Sequence, residues 1–373
     1  SANWMASPDN AQRKTDLFNT VKELTQKVCN PWKITIPVGK DSLSMKTIWQ
    51  KDKKTNLSPQ SLIISAFTKI KNVKKSITPQ LIDSNELSLV YLDLSKTKKR
   101  LGGSILSEVS QQTNLETPNL ECVDEFPKIY NYLATKIDKK RIFSFHDISD
   151  GGLIVSAVEM MLAGGCGLNL DLSKISFLKE SSSLFSEELG MLFQINKKDF
   201  SEFKKDFVKL GLKNSFFNIG STNNTNNLFL KTSSQSLRIS HKVLMHSWSS
   251  VSYNIKLLRD NQETIKQEHR FLLNPKRSKL TQKFNFKLNK KYLSRAPKIA
   301  IMRDQGVNSH LEMAAAFSQA GFKVIDVHMR DLLDNSSSLD NFQGLAFPGG
   351  FSYGDILGAG RGWAQSIKSN SKL

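Results

Sequence analysis

Cysteine is scarce in this sequence of 373 residues: Cys29, Cys122 and Cys166 are the only three. An odd number at wide spacing argues against a disulfide framework and for a reducing compartment. No Cys-x-x-Cys or Cys/His spacing suggests zinc. Acid is short too, with 34 Asp and Glu against 53 Lys and Arg, a formal net charge of +19. Long apolar runs are missing: no uninterrupted stretch approaches the roughly 18 residues of a membrane span. The opening Ser1-Ala2-Asn3-Trp4-Met5 lacks the basic-then-apolar order of a secretory leader. A hydrophobic content of 39% nevertheless supplies a core, and the length suits two or three domains.

The surplus of base has two readings. One is a nucleic-acid-associated binding protein. The other is lysine spread over the whole surface, and the absence of any RNA- or DNA-binding motif favours it. Base is densest over residues 269 to 303, which hold eleven Lys or Arg, Lys276, Arg277, Lys279, Lys290 and Lys291 among them, and no acid. That run reads as a solvated linker face.

Chemistry concentrates at Phe145-His146-Asp147-Ile148-Ser149-Asp150-Gly151-Gly152. Arg141 to Ser144 ahead of it reads as a buried strand, and Leu153 to Leu162 behind it as a helix closed by Gly164-Gly165. Two acids, a hydroxyl and two glycines therefore lie on a strand-to-helix turn. Helix-start N–H groups and glycine suit phosphate, and carboxylates beside phosphate usually mean Mg²⁺. The bland reading is that Ser149 or Asp150 caps the helix.

Taken in order, Asp9-Asn10 opens a helix with Leu17, Val21, Leu24 and Val28 at core-packing spacing. Trp32 to Gly39 alternates like a strand, and Lys40 to Thr47 reads as a polar turn or a nucleotide-facing loop. Strands are expected at 62–67, 87–92, 168–172 and 191–195, and helices around 105–111, 125–137 and 243–268. Residues 203–220 read as a helix and a turn. Glu187-Glu188, at a strand start, could face a metal or a basic group, or could form a solvated turn. From Pro297 the pattern is strand, helix, strand, helix, strand, the start of a doubly wound α/β domain. Ser309 to Glu312 reads as a capping box there.

Ser1 to Met5, Pro37-Val38-Gly39-Lys40-Asp41-Ser42, His146 to Gly152, Phe185 to Gly190, Arg259-Asp260-Asn261 through His269, and Pro297 to Ala364 together resemble the large, single-chain phosphoribosylformylglycinamidine synthases, in that family's order. The resemblance implies a mixed α/β and α+β chain of PurM-like synthetase lobes followed by the start of a flavodoxin-like class I glutaminase domain. It implies the end of a second N lobe over 1–85, a second C lobe over 86–240, a connector over 241–296 and a truncated amidotransferase domain over 297–373. The implied activity belongs to purine synthesis: a C–N ligase converts formylglycinamide ribonucleotide to the amidine with ATP, Mg²⁺ and glutamine as amido donor. The full enzyme is expected to be a cytoplasmic monomer with no nucleic-acid or membrane partner.

By the same resemblance, Asp147 is a magnesium ligand and Ser149 a nucleotide contact, in a site holding ADP for structure rather than turnover. Gly349 and Gly350 match the turn whose N–H groups form an oxyanion hole, where each donor can be worth about 3 kcal/mol. The remaining magnesium ligands are expected upstream of Ser1, and the nucleophilic Cys with its His and Glu partners beyond Leu373. The isolated chain is therefore expected to be inactive, with no catalytic residue of its own. Cys166, between Gly165 and Gly167, reads as core filler. Arg361 stands where many relatives carry an acid.

Overall fold

The computed structural model describes residues 1–371 apart from 52, 71, 114, 174, 176–179, 275–295 and 335. The basic run picked out by sequence lies mostly outside the described residues. The chain forms two compact units, Ser1–Ser278 and Lys279–Leu373.

The first unit begins with strand β1 (Ala2–Met5), which pairs in parallel with β2 (Gly39–Ser42) and antiparallel with β5 (Ser61–Ile64). A separate hairpin joins β3 (Lys46–Trp49) to β4 (Lys54–Leu57). The strand expected from Trp32 to Gly39 does not form. Trp32 ends a helix, Lys33 turns through a left-handed conformation, and the strand that does form, Gly39–Ser42, begins at the last residue of that stretch and runs into the one that read as a loop. Backbone pairing with β1 builds it, and alternation of side chains has no part in that. The helix Ala11–Glu23 forms as expected, with Asn10 accepting from the Arg13 N–H at 2.9 Å. Its apolar side is not core, however: none of its residues is buried, and Val21 is exposed.

The main body of this unit is a seven-stranded sheet in the order β12-β11-β8-β10-β6-β9-β7. Its strands are β6 (Leu87–Asp93), β7 (Phe145–Asp147), β8 (Gly167–Asp171), β9 (Gly190–Asn196), β10 (Phe216–Asn223), β11 (Asn227–Lys231) and β12 (Ser236–Ser240). All neighbours are antiparallel except β11 and β8. Side chains alternate across a strand, and here both faces are covered. Leu89 and Tyr91 of β6 pack beneath helix Gly152–Gly164 with Leu153, Ile154, Ala157, Met160 and Met161. Val90 and Leu92 face helices Phe126–Asp138 and Phe200–Lys209, where Ile129, Leu133, Phe193, Phe203 and Phe207 are fully or nearly fully buried. At roughly 1.5–3 kcal/mol for each fully buried large side chain, this double-sided packing fixes β6 and β9 as the rigid centre.

The strand expected at 141–144 lies slightly later, at β7, so His146 and Asp147 are themselves strand residues. The residues after 209 hold strands as well as the expected turn. The helical stretch near the end of the unit is two helices, His241–Arg259 and Gln262–Leu272, broken where Asn261 caps the second by accepting from the Thr264 N–H at 3.0 Å. No helix among the described residues is long and apolar enough to cross a membrane.

In the second unit β13 (Lys298–Arg303) lies between β14 (Lys323–His328) and β15 (Gly344–Ala346), all parallel. Helices His310–Gln319 and Met329–Leu333 make the crossovers, as the strand-helix alternation predicts. The capping box at Ser309 does not form. Ser309 is left-handed (φ 64°), and its side chain makes no cap bond. One does form at the next helix: the His328 ring accepts from the Arg330 N–H at 3.1 Å, and Asp331 accepts from the His328 N–H at 3.3 Å.

Candidate functional site

Strand β7 reaches the turn at Asp147, held by its register against β9, with His146 opposite Leu192 and Asp147 opposite Met191. The chain then turns through Gly151 (φ 85°) and Gly152 (φ 74°) into the helix, and Gly165 (φ 65°) closes it. These glycines serve the backbone first. A Cβ on Gly152 would lie 2.6–2.7 Å from the backbone of Phe185, and one on Gly151 would run into the side chain of Val155. Neither Ser149 nor Asp150 caps the helix; Gly151 is the N-cap, with no side-chain cap bond.

The turn's side chains point to different places. Asp147 is 73% exposed, and Asp150 is exposed too. His146 lies beneath them, its Nδ1 2.6 Å from the Asp147 carbonyl oxygen and its Nε2 3.5 Å from Glu159. Glu159 also accepts from the Trp248 indole N–H at 3.0 Å. Ser149 is half-buried. Its N–H donates to the Ser156 hydroxyl at 3.2 Å, and the two hydroxyl oxygens are 3.5 Å apart.

The acids at 187 and 188 complete the turn. Glu187 Oε1 accepts from the Gly151 N–H at 2.8 Å and from the Ile105 N–H at 2.9 Å. The helix-start N–H that could have faced a phosphate is thus taken by a carboxylate of the protein, well matched to the positive end of the helix. Glu188, 1% exposed, forms a two-pronged pair with Arg100 and also accepts from its backbone N–H. Ser186 donates to the Arg100 carbonyl at 3.0 Å. Three consecutive residues therefore hold the loop at 100–105, and the middle one, Glu187, also joins it to the turn at Gly151. The hydrogen bond with Glu188 raises the Arg100 guanidinium above its ordinary value, so this buried guanidinium stays charged. Of the alternatives open for the two acids, Glu188 faces a basic group, and Glu187 faces backbone N–H groups.

A magnesium ion fits this turn only in part. Asp147 presents one open carboxylate, while Glu187 and Glu188 are committed elsewhere. No group of three or more potential ligands occurs among the described residues. Mg²⁺ usually takes one or two carboxylates, with phosphate oxygens and water completing the octahedron, so one carboxylate suits it in kind.

In the second unit Gly349 and Gly350 follow β15. Gly350 (φ 119°) crosses the loop of Gly306 (φ 80°). The Asn308 N–H donates to the Gly349 carbonyl at 2.9 Å, and the Phe351 N–H to the Gly306 carbonyl at 2.7 Å. A Cβ on Gly350 would lie 2.5 Å from the Asn308 nitrogen, and one on Gly306 2.2 Å from the Phe351 oxygen. Both Gly349 and Gly350 are exposed, and neither N–H donates a hydrogen bond among the described residues. Arg361 is exposed on helix Ala359–Lys368.

Sequence reading placed the turn but missed the Glu187 bonds, whose partners are 36 and 82 residues away. An acid pair next to a strand start, in a chain with a Gly-Gly helix start, was the available signal. It also passed over His246 and His269, which approach each other across the last two helices of the first unit.

Three family models match the chain in order. An FGAR-AT PurM_N-like domain covers 1–69, the C-terminal domain of AIR synthase related proteins covers 88–232, and a CobB/CobQ-like glutamine amidotransferase domain covers 296–373. Among solved structures, the chain is similar to PurLQS from Thermotoga maritima, at 9% identity and a TM-score of 0.44 over 85% of this chain and 43% of that one. It is similar to T. maritima PurL complexed with FGAR, at 10% identity and 0.44 over 87% and 45%. It is also similar to E. coli HypE, a hydrogenase maturation protein, at 11% identity and 0.40 over 64% and 71%. The chain thus spans less than half the length of the PurL chains it matches. A PurM-type C-terminal lobe and an amidotransferase domain, both implied by the sequence resemblance, are present.

Proposed function

We propose that this chain works within the ATP- and glutamine-dependent conversion of formylglycinamide ribonucleotide to the amidine: it belongs to the phosphoribosylformylglycinamidine synthase family, and its residues fit two parts of that task. The observation that carries the reading is the order of the three domain matches along one chain. In the whole reaction, ATP phosphorylates the amide oxygen of the substrate, ammonia from glutamine adds at the same carbon, and phosphate leaves. The divisions proposed for the chain are an N-lobe end over 1–85, a C lobe over 86–240, a connector over 241–296 and an amidotransferase segment over 297–373.

Asp147, with its exposed carboxylate, would hold Mg²⁺, and Ser149, two residues on, would contact the nucleotide. The metal supplies charge neutralisation of the phosphates. Because Glu187 occupies the helix start, the Gly151 N–H is not open to phosphate, and the Asp147 carboxylate would be the group that holds the metal. The turn then anchors a nucleotide for structure, since Glu187 holds its backbone in one conformation. Gly349 and Gly350, whose N–H groups have no acceptor among the described residues, suit an oxyanion hole for glutamine hydrolysis. All three cysteines lie in the first unit, so the chain by itself lacks the nucleophile for that step and hydrolyses no glutamine.

The test is calorimetry of the purified chain with MgADP. Wild type binds, and Asp147→Asn binds more weakly with an unchanged melting temperature. Equal affinity in the two proteins refutes the assignment of Asp147. A salt-sensitive melting shift with RNA or DNA, and none with MgADP, would support the basic nucleic-acid-associated alternative instead. Glutaminase activity in the isolated chain would refute the assignment of the nucleophile to residues outside it.

A further inference from the structure

Helices His241–Arg259 and Gln262–Leu272 form an antiparallel hairpin about Asp260-Asn261, and Lys256 pairs with Glu268 across it at 2.7 Å. Near its open end, His246 Nδ1 and His269 Nε2 are 3.1 Å apart. Tyr253 stacks on the His269 ring, with centroids 4.0 Å apart and planes 19° from parallel, and so fixes one of the two imidazoles. His269 is half-buried on the wall of a cavity of about 300 Å³.

We propose that His246 and His269 form a two-imidazole site for a first-row divalent transition ion of the zinc, nickel or copper type. The spacing carries the argument. Two nitrogens bound to one ion at about 2.0–2.1 Å, with an angle between 90° and 110°, are about 2.8–3.4 Å apart. The observed separation falls inside that window, so chelation requires ring rotation with little movement of the helices. Without an ion, one ring nitrogen donates its proton to the other. To bind an ion, the donor ring moves its N–H to its other nitrogen, so that both lone pairs face the ion; both rings stay neutral, no proton is released, and the ion keeps its own charge, met by water and solvent anions in the open positions.

The donor set decides the kind of ion. Imidazole suits zinc, copper and nickel, and does not suit magnesium or calcium. Glu268 is taken by Lys256, and no third His, Cys, Asp or Glu completes a set among the described residues. The remaining coordination positions are open to water, so the site differs from a closed structural zinc site. An ion here would clamp the two helices of the hairpin together.

The experiment uses the whole chain, stripped with chelator and titrated with Ni²⁺ by calorimetry, then with Cu²⁺ followed by electron paramagnetic resonance. One site is expected, with copper hyperfine structure from two nitrogens and a melting temperature raised by Ni²⁺. His246→Ala and His269→Ala are each expected to lose at least about tenfold in affinity, along with the two-nitrogen signal. The double variant should lose little more than either single one, since one missing ring already ends chelation. His246→Gln, which keeps a polar group for the apo hairpin, guards against a folding defect and should lose the metal response equally. Unchanged Ni²⁺ affinity in the variants, or a copper signal that survives both substitutions, would overturn the site.

Discussion

Removing one carboxylate tests whether the turn at 149–152 is held by the acid that follows it. In Glu187→Ala, the Gly151 and Ile105 N–H groups lose their shared acceptor, bonds of 2.8 and 2.9 Å. A hydrogen bond to a charged group contributes about 1.5–3 kcal/mol. The Ile105 bond is exposed and the Gly151 bond is part-buried, so water can restore most of the first and little of the second. The net loss is then about 2–3 kcal/mol, most of it at Gly151. For a domain of about 150–250 residues, each kcal/mol moves the melting temperature by about 2–4 °C, which gives a fall of about 5–10 °C. Glu187→Gln keeps a carbonyl acceptor and loses only the charge, so about 1 kcal/mol and 2–4 °C are expected. Differential scanning calorimetry reads the shift. Hydrogen exchange at the Gly151 and Ile105 amides shows whether the loss is local. A melting temperature within 1 °C of wild type for the alanine variant would refute the reasoning (the bonds would then be replaceable by water), as would equal losses for alanine and glutamine.

Other expectations follow from the same geometry. Gly350→Ala should destabilise the second unit by at least about 2 kcal/mol, because its φ is positive and its Cβ meets the Asn308 backbone. Gly349→Ala, whose Cβ meets nothing within 4 Å, should cost far less, and chemical denaturation would separate the two. Burial pushes the Cys122 and Cys166 thiols up to about 11, so a thiol reagent at neutral pH should titrate Cys29 quickly and the other two only on unfolding. The Glu202 carboxyl is held below its ordinary 4.5 by Lys136 and then Arg141, and that of Glu121 by Lys98. Stability from such groups is fully present above pH 4.5 and is lost as the pH falls through the lowered folded value. Urea unfolding should therefore be flat from pH 7 to 5 and weaken below, with a shallower acid limb in Lys136→Met.

Elements whose side chains carry a period were legible in the sequence. Leu87 to Leu92 and Met191 to Ile195 are mostly apolar, interrupted only by the buried Ser88 and Gln194, because both their faces are covered, and Leu168 to Leu172 alternates because one face is more open. β10 to β12 were missed for the complementary reason. Ser236-Leu237-Arg238-Ile239-Ser240 is a half-exposed edge strand, and Phe216 to Asn223 shifts register between Asn218 and Gly220. β2 was unreadable because Gly-Lys-Asp-Ser is recruited by backbone bonds to β1 alone. At the candidate site, the Gly-Gly turn was visible locally, but the choice between a phosphate seat and a filled helix start was not. That choice rests on Glu187, whose carboxylate reaches the turn only once β9 has docked against β7. Ser309 shows the opposite error: a correct local motif for a cap, overruled by a left-handed backbone.

The position of β6 has a consequence for how the chain is made. It lies inside the large sheet, all seven of its residues are buried, and its two partners are β9 and β10. Those partners leave the ribosome roughly 100 or more residues later, a delay on the order of 5–20 s at about 5–20 residues per second. Throughout that interval Leu-Ser-Leu-Val-Tyr-Leu-Asp is a nearly uncharged, β-prone segment with no neighbour to cover it, the kind of window from which cross-chain pairing starts. The same double-sided burial that makes β6 the rigid centre of the finished lobe makes it the most vulnerable stretch of the nascent one. Crowded synthesis, slow codons between residues 93 and 190, or loss of holdase chaperones would therefore lower the yield of folded chain without altering its final stability.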